Sequence, residues 1–389
     1  MFISLRKVNI KYMNNPFITN GYAGPKYFCD REQETKTITD FLTNGNNIAL
    51  ISPRRIGKTD LVQHCFGQKE ISEEYYTFLI DIYATKNFQD FVNTFGKAVL
   101  DTLKPKGKKV WEQFVSAVKS VRPQISFDIN NMPSWSIGLG SISNPELTLD
   151  EIFSYLKTAD KPCIVAIDEF QQITEYTDEV NMEAVLRTHI QKCNNANFLF
   201  CGSRRHLMDN IFLNPSRPFY QSVTVMNLYP IPMDTYVSFA MRLFTKNGGR
   251  RISADVIKDV YQRFDGVTAN IQRIMNLLYM RTQKGEECKL DDVQPTIDYY
   301  IDLCSDTYSS LLYQMPEKQR LVFLALASED GATKITSSEF IKKHSLSSAS
   351  SVSSAVTGLL ANDFITREED TYYVYDKFFQ IWCRKFLNR

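Results

Sequence analysis

Ser52, Gly57, Lys58 and Thr59 fill the four defining positions of the pattern G-x-x-x-x-G-K-[ST], with serine where the first glycine usually stands. In that pattern backbone N–H groups curl round a β-phosphate, the lysine reaches the β/γ oxygens, and the hydroxyl ligates Mg²⁺. A side chain at residue 52 can hinder the backbone geometry that glycine allows. Serine is nevertheless the next smallest polar choice and can itself donate to a phosphate, so the loop is expected to close. Pro53 stiffens it, while Arg54 and Arg55 bring two guanidinium groups close by, directed either at a phosphate or partner or at solvent and surface acids. Ile56 and Asp60 complete the candidate binding stretch 52–60.

A second constellation follows about 110 residues later, where "CIVAIDE" (163–169) runs four or more apolar residues into Asp168 and Glu169. Taken alone, this is equally a strand that ends in two solvated acids. Coming after the loop, it reads as the second motif of a P-loop NTPase. Asp168 then shares the Mg²⁺ shell with Thr59, and Glu169 polarises an attacking water.

These side chains need a scaffold, and the surrounding pattern supplies one. Apolar strands are expected at 46–53, 75–83, 162–170 and 197–203, and helices at 59–66, 87–103, 148–159 and 180–193, the third of these opening on Thr148-x-x-Glu151. Alternating strands and helices predict a parallel α/β sheet whose ligand sits at the carboxyl ends of the strands. The stretch 104–147 breaks the pattern and reads as an inserted hairpin or long loop. From about 229 the strands vanish and a small helical unit follows. From about 313 three helices and an antiparallel strand pair give the order of a winged helix-turn-helix. The predicted domains are 1–228, 229–312 and 313–389.

Composition narrows the partners. With 43% hydrophobic and 23% charged residues the chain is of globular type, and 45 basic against 44 acidic side chains leave no global field to draw it to nucleic acid or an anionic membrane. Eight cysteines without a C-x-x-C pair, several in apolar runs, read as reduced core residues, and four histidines offer no zinc spacing. No cleavable leader and no apolar run of membrane length is visible, so a cytoplasmic protein with no membrane partner is expected.

The chain resembles the AAA-like archaeal and bacterial ATPases related to the STAND NTPases. The resemblance rests on "NPF" (15–17), "FCDREQE" (28–34), "NNIALISPRRIGKTDLV" (46–62), "IDEFQQI" (167–173), "CGSRRHLMDNIF" (201–212), "RPFY" (217–220) and the C-terminal "SSVSSAVTGLLANDFI" and "YYVYDKFFQIW". It implies ATP/ADP and Mg²⁺ as cofactors and places Phe28, Asp30, Arg31 and Glu32 beside the base and ribose, although Asp30 equally suits a helix cap. It makes Ser203 a γ-phosphate sensor or else a turn residue, and Arg217 an arginine finger or one half of an intrachain ion pair. The family's Gly-x-Pro in the helical lid is replaced by "FDGVTANIQRI", which weakens any nucleotide role for Arg273.

The expected function is a Mg²⁺-dependent ATPase acting as a nucleotide-driven switch on a protein client or through self-association. A DNA-binding regulator with an accessory NTPase domain is the alternative, and a scaffold that binds nucleotide without hydrolysis is a third. The helix 347–360 contains no lysine or arginine and residues 313–389 carry ten basic against nine acidic side chains, so nucleic acid is not the favoured partner.

Overall fold

A computed structural model describes residues 15–103, 122–127, 133–138, 144–178, 180–246 and 249–387. The chain divides into two compact units, one of Ile18–Tyr236 with Val267–Ala269, the other of Asn14–Phe17, Val237–Gly266 and Asn270–Arg389.

The first unit is built on five strands: β1 (Ile48–Ile51), β2 (Tyr76–Asp81), β5 (Cys163–Asp168), β6 (Ala196–Gly202) and β7 (Thr224–Asn227). They lie in the order β2-β5-β6-β1-β7, and every pairing is parallel. The inner strands are mostly apolar, with Asn197 and the terminal Asp168 as exceptions, because helices cover both faces of the sheet. Alternate residues serve opposite layers. Ala49, Ile51, Val165, Ile167, Phe198 and Phe200 pack on one side, against α4 (Phe88–Thr102), α5 (Pro145–Lys157), α6 (Met182–Gln191) and α7 (Arg205–Leu213). Ile48, Leu50, Ile164, Ala166, Leu199 and Cys201 pack on the other, against α1 (Glu32–Thr43) and α2 (Lys58–Phe66), with the one-turn α3 (Lys69–Ser72) alongside.

One local expectation is revised and another is met. The third helix begins at Pro145 rather than 148, because Asn144 is its cap: the Asn144 Oδ1 accepts the N–H of Leu147 at 3.1 Å, and Pro145 fills the first helical position. Thr148 is fully buried inside the helix and donates back to Asn144 O. Within 104–147, β3 (Arg122–Phe127) and β4 (Pro133–Gly138) form an antiparallel pair, which is the expected hairpin; the basic and helix-like parts of that stretch lie outside the described residues.

The second unit is mainly helical: α8 (Met233–Lys246), which begins at the end of the first unit, α9 (Ala254–Arg263), α10 (Thr268–Arg281), α11 (Val293–Leu303) and α12 (Ser305–Gln314). A parallel pair of two-residue strands, β8 (Arg251–Ile252) and β9 (Glu287–Cys288), interrupts it where no strand is expected. The winged-helix portion follows as α13 (Glu317–Ser328), α14 (Ser338–Lys343), α15 (Ala349–Ala361), the antiparallel β10 (Ile365–Glu368) and β11 (Thr371–Val374), and α16 (Lys377–Leu387). Phe323 and Phe379 pack at 4.8 Å between ring centres at its core.

Seven of the eight cysteines are buried, Cys304 is half-buried, and all are free thiols. Among the described residues no helix is long and apolar enough to cross a membrane.

Candidate functional site

The loop between β1 and α2 leaves the sheet at its carboxyl edge, beside the ends of β5 and β6. Lys58 and Thr59 open α2, and Gly57 stands at its N-cap with φ 96° and no side-chain cap. The first N–H groups of such a helix have no partner within it, so this end is ready for an anion. Ser52 does not need glycine's freedom: the left-handed residues of the loop are Arg55 (φ 67°) and Gly57. The Ser52 N–H donates to Gly202 O at 3.1 Å, which ties the loop to the end of β6.

Thr59 Oγ1 donates to Asp168 Oδ2 at 2.7 Å. Lys58 Nζ lies 3.2 Å from Asp168 Oδ1 and 3.8 Å from Glu169 Oε1. Burial pushes the Lys58 ammonium toward neutrality, but the Asp168 and Glu169 carboxylates outweigh it and hold the pKa above its ordinary value, so the side chain stays charged. Glu169 adopts a left-handed backbone (φ 56°), and its Oε2 accepts from Ser203 Oγ at 2.7 Å and from Gln171 Nε2 at 2.5 Å. Arg54 donates through Nε to Ser203 Oγ at 3.1 Å and places a terminal nitrogen 4.0 Å from Glu169 Oε2. The structure thus brings Arg54, Lys58, Thr59, Asp168, Glu169 and Ser203 into one network at the strand ends.

The remaining candidates divide. Ile56 is buried in the core, so only its backbone faces the loop. Pro53 and Arg55 are exposed, and Asp60 sits in the first turn of α2, where burial raises its carboxyl to about 6. Phe28 stacks on His64 at 4.3 Å, and Tyr22 OH bonds His64 Nδ1 at 2.7 Å, an aromatic cluster at the last turn of α2. Arg31 is buried and committed within the protein, to Glu34 at 2.7 Å and to Tyr229 O at 2.6 Å. It is also the N-cap residue of α1, which has no side-chain cap, so the capping alternative for Asp30 is not what the fold uses; Glu32 is the first residue of that helix. Arg217 pairs with buried Glu183, the intrachain reading of that residue. Arg273 lies over the Tyr300 ring at 5.8 Å, within the second unit. Gln171 was visible in the "IDEFQQI" string, yet its partners were not, because Ser203 comes within reach only through the β5–β6 pairing.

The donor set fits Mg²⁺ with a nucleoside triphosphate. Thr59 and Asp168 place two hard oxygens 2.7 Å apart, and Mg²⁺ characteristically takes one or two protein oxygens and completes its shell with phosphate and water. Among the described residues no three His, Cys, Asp or Glu side chains converge as a metal cage.

A parallel sheet with helices on both faces, a phosphate loop running into α2, and an Asp-Glu pair closing β5 define a Walker-type P-loop fold. Residues 28–274 match the family described as an ATPase domain predominantly from Archaea, and the chain belongs to that family. Residues 306–385 match the model described as a probable winged helix domain. Among solved structures, the Walker-type ATPase of Pyrococcus abyssi has the same fold, with a TM-score of 0.63 at 18% identity over 95% of this chain and 99% of its own. The Aeropyrum pernix ORC2 protein, solved in ADPNP–ADP complexes, gives 0.57 at 12% identity over 96% and 98%. The Aeropyrum pernix ORC1 protein, solved in complex with DNA, gives 0.56 at 10% over 95% and 96%. No curated protein matches the chain.

Proposed function

We infer that the chain binds ATP with Mg²⁺ at the 52–60 loop and hydrolyses it, and that the nucleotide state governs what the winged-helix portion presents to a protein partner. One observation carries the chemistry: at the start of α2, Thr59 is hydrogen-bonded to Asp168, the last residue of β5, and Lys58 lies within ion-pair distance of Asp168 and of Glu169 directly after it. In this reading the loop N–H groups and Lys58 hold the phosphates, and Thr59 and Asp168 hold the metal. Glu169 accepts a proton from the attacking water, and Ser203 turns its one hydroxyl proton, directed at Glu169 in this structure, toward the γ-phosphate when nucleotide is bound. Bound Mg²⁺ supplies neutralisation of charge on the phosphate oxygens. The segments 1–228, 229–312 and 313–389 then serve as ATPase, lid and effector.

Lys58 touches phosphate in the ground and transition states alike, whereas Glu169 matters only when water attacks. Lys58→Ala is therefore expected to weaken ATP binding as well as turnover. Glu169→Gln is expected to leave affinity within about 3-fold and cut hydrolysis by about 10² or more, the scale of a general base. Equilibrium binding and single-turnover hydrolysis measure the two. Hydrolysis by Glu169→Gln at the parent rate would overturn the catalytic assignment.

The winged-helix fold also supports a DNA-binding regulator. Against it stands the solvent face of α15, made by Ser350, Ser353, Ser354, Thr357 and Ala361, without a cation to neutralise phosphate.

A further inference from the structure

Gln171 lies beside the site and has no part in the reading above. It follows β5 by three residues, in the 3₁₀ turn Phe170–Glu175, and is 3% exposed. Both ends of its carboxamide are occupied. Nε2 donates to Glu169 Oε2 at 2.5 Å and stands 3.4 Å from Ser203 Oγ, while Oε1 accepts the N–H of Ser203 at 3.3 Å. The orientation of the amide follows from its neighbours: a backbone N–H can only donate and an ionised carboxylate can only accept, so oxygen must face Ser203 N and nitrogen must face Glu169. Room for it comes from β6, where a Cβ on residue 202 would stand 2.7 Å from Gln171 Oε1.

Opposed pulls act on the two oxygens of the Glu169 carboxylate. Lys58 attracts Oε1 from 3.8 Å, whereas Gln171 and Ser203 hold Oε2 at 2.5 and 2.7 Å. Without the amide, only the Ser203 hydroxyl at 2.7 Å and the Arg54 guanidinium at 4.0 Å hold Oε2 against the ammonium, and the carboxylate can swing toward it. A displacement of about 1 Å at a reacting group costs about 10²-fold in rate.

We propose that Gln171 is a positioning residue for hydrolysis: it ties Glu169 Oε2 and the Ser203 backbone into one unit, so that Glu169 Oε1 is the oxygen left to meet water. The proposal rests on the reading of Glu169 as the water-orienting base.

The test uses the full chain. Gln171→Met keeps length and volume and removes both polar ends. Gln171→Glu keeps the acceptor for the Ser203 N–H and replaces the donor facing Glu169. Single-turnover ATP hydrolysis is expected to fall about 10- to 100-fold in both, with the affinity for a fluorescent ATP analogue within about 3-fold of the parent. Placed in the Glu169→Gln background, either change is expected to alter the remaining rate by less than about 2-fold, because residues acting through one carboxylate are not additive. A purely structural role would instead lower affinity together with rate, or add its loss to that of Glu169→Gln, and either result overturns the proposal. A parent rate in both variants overturns it too while leaving the ATPase reading intact. Equal rates for the parent and Glu169→Gln remove that reading, and this proposal with it.

Discussion

At the scale of single residues, the serine at position 52 shows how a phosphate loop tolerates a departure from glycine. Ser52 is buried, its hydroxyl has no hydrogen-bond partner, and its backbone stays out of the left-handed region. The strain falls on Arg55, a residue that pays the ordinary cost of a positive φ outside glycine. Arg217 belongs to this scale as well. It pairs with Glu183, a 5%-exposed carboxylate whose pKa burial raises despite the guanidinium beside it. Arg217→Ala is expected to destabilise the fold by about 2–3 kcal/mol, somewhat below a fully buried pair because the arginine is one-third exposed. The pH dependence has a definite sign. A carboxyl whose folded pKa lies above its unfolded value makes stability fall as pH rises through that window, and losing the arginine widens it. The deficit of the variant should therefore be large at pH 7.5 and narrow toward pH 5, read from urea midpoints. A deficit that grew on acidification would contradict this account.

At the scale of elements, Gly202 ends β6 where the sheet, the 3₁₀ turn after β5 and α7 meet. A Cβ there would approach Met208 Sδ to 2.3 Å, Met208 Cγ to 2.5 Å and Gln171 Oε1 to 2.7 Å. Gly202→Ala must displace both side chains. It is expected to cost about 1–3 kcal/mol and to reduce hydrolysis, with melting and turnover as the paired measurements. A variant as stable and active as the parent would show that Met208 yields without effect. The inner strands β1, β5 and β6 were legible in the sequence because burial on both faces demands near-continuous apolar runs, and the edge strand β2 because "FLI" (78–80) is such a run in short form. β7 was not, since "TVMN" is a short edge strand with Thr224 exposed and the rest half-buried, and it carries no run to read. The loop, Asp168 and Glu169 were legible from spacing along the chain. The Glu169–Gln171–Ser203 bonds depend on strand adjacency, which no local pattern announces.

At the scale of the whole molecule, the charges are close to balance, and among the described residues of the winged-helix portion the cations are interspersed with acids. Arg384 and Lys385 on α16 are engaged with Asp330 and Asp302, and Lys343 with Glu329. The full chain is therefore expected to bind generic duplex DNA weakly at physiological salt, with a shallow decline as salt rises, because few phosphates can be neutralised. Fluorescence anisotropy across a salt series measures this. Tight binding with a steep salt slope would promote the regulator reading over the switch.

The strand order has a further consequence, in time rather than in space. β1 carries the phosphate loop, yet its two neighbours in the sheet are β6 and β7, and some 145 residues separate Ile51 from Ala196. At about 5–20 residues per second of synthesis, β1 waits roughly 7–30 s for its first partner to be made, with Ile48, Leu50 and Ile51 unpaired. The loop at the heart of the site is thus translated well before its sheet partners and acquires its shape only once they are made. A ribosome that stalls before residue 196 displays an apolar strand without a sheet, which is the kind of surface that chaperones hold.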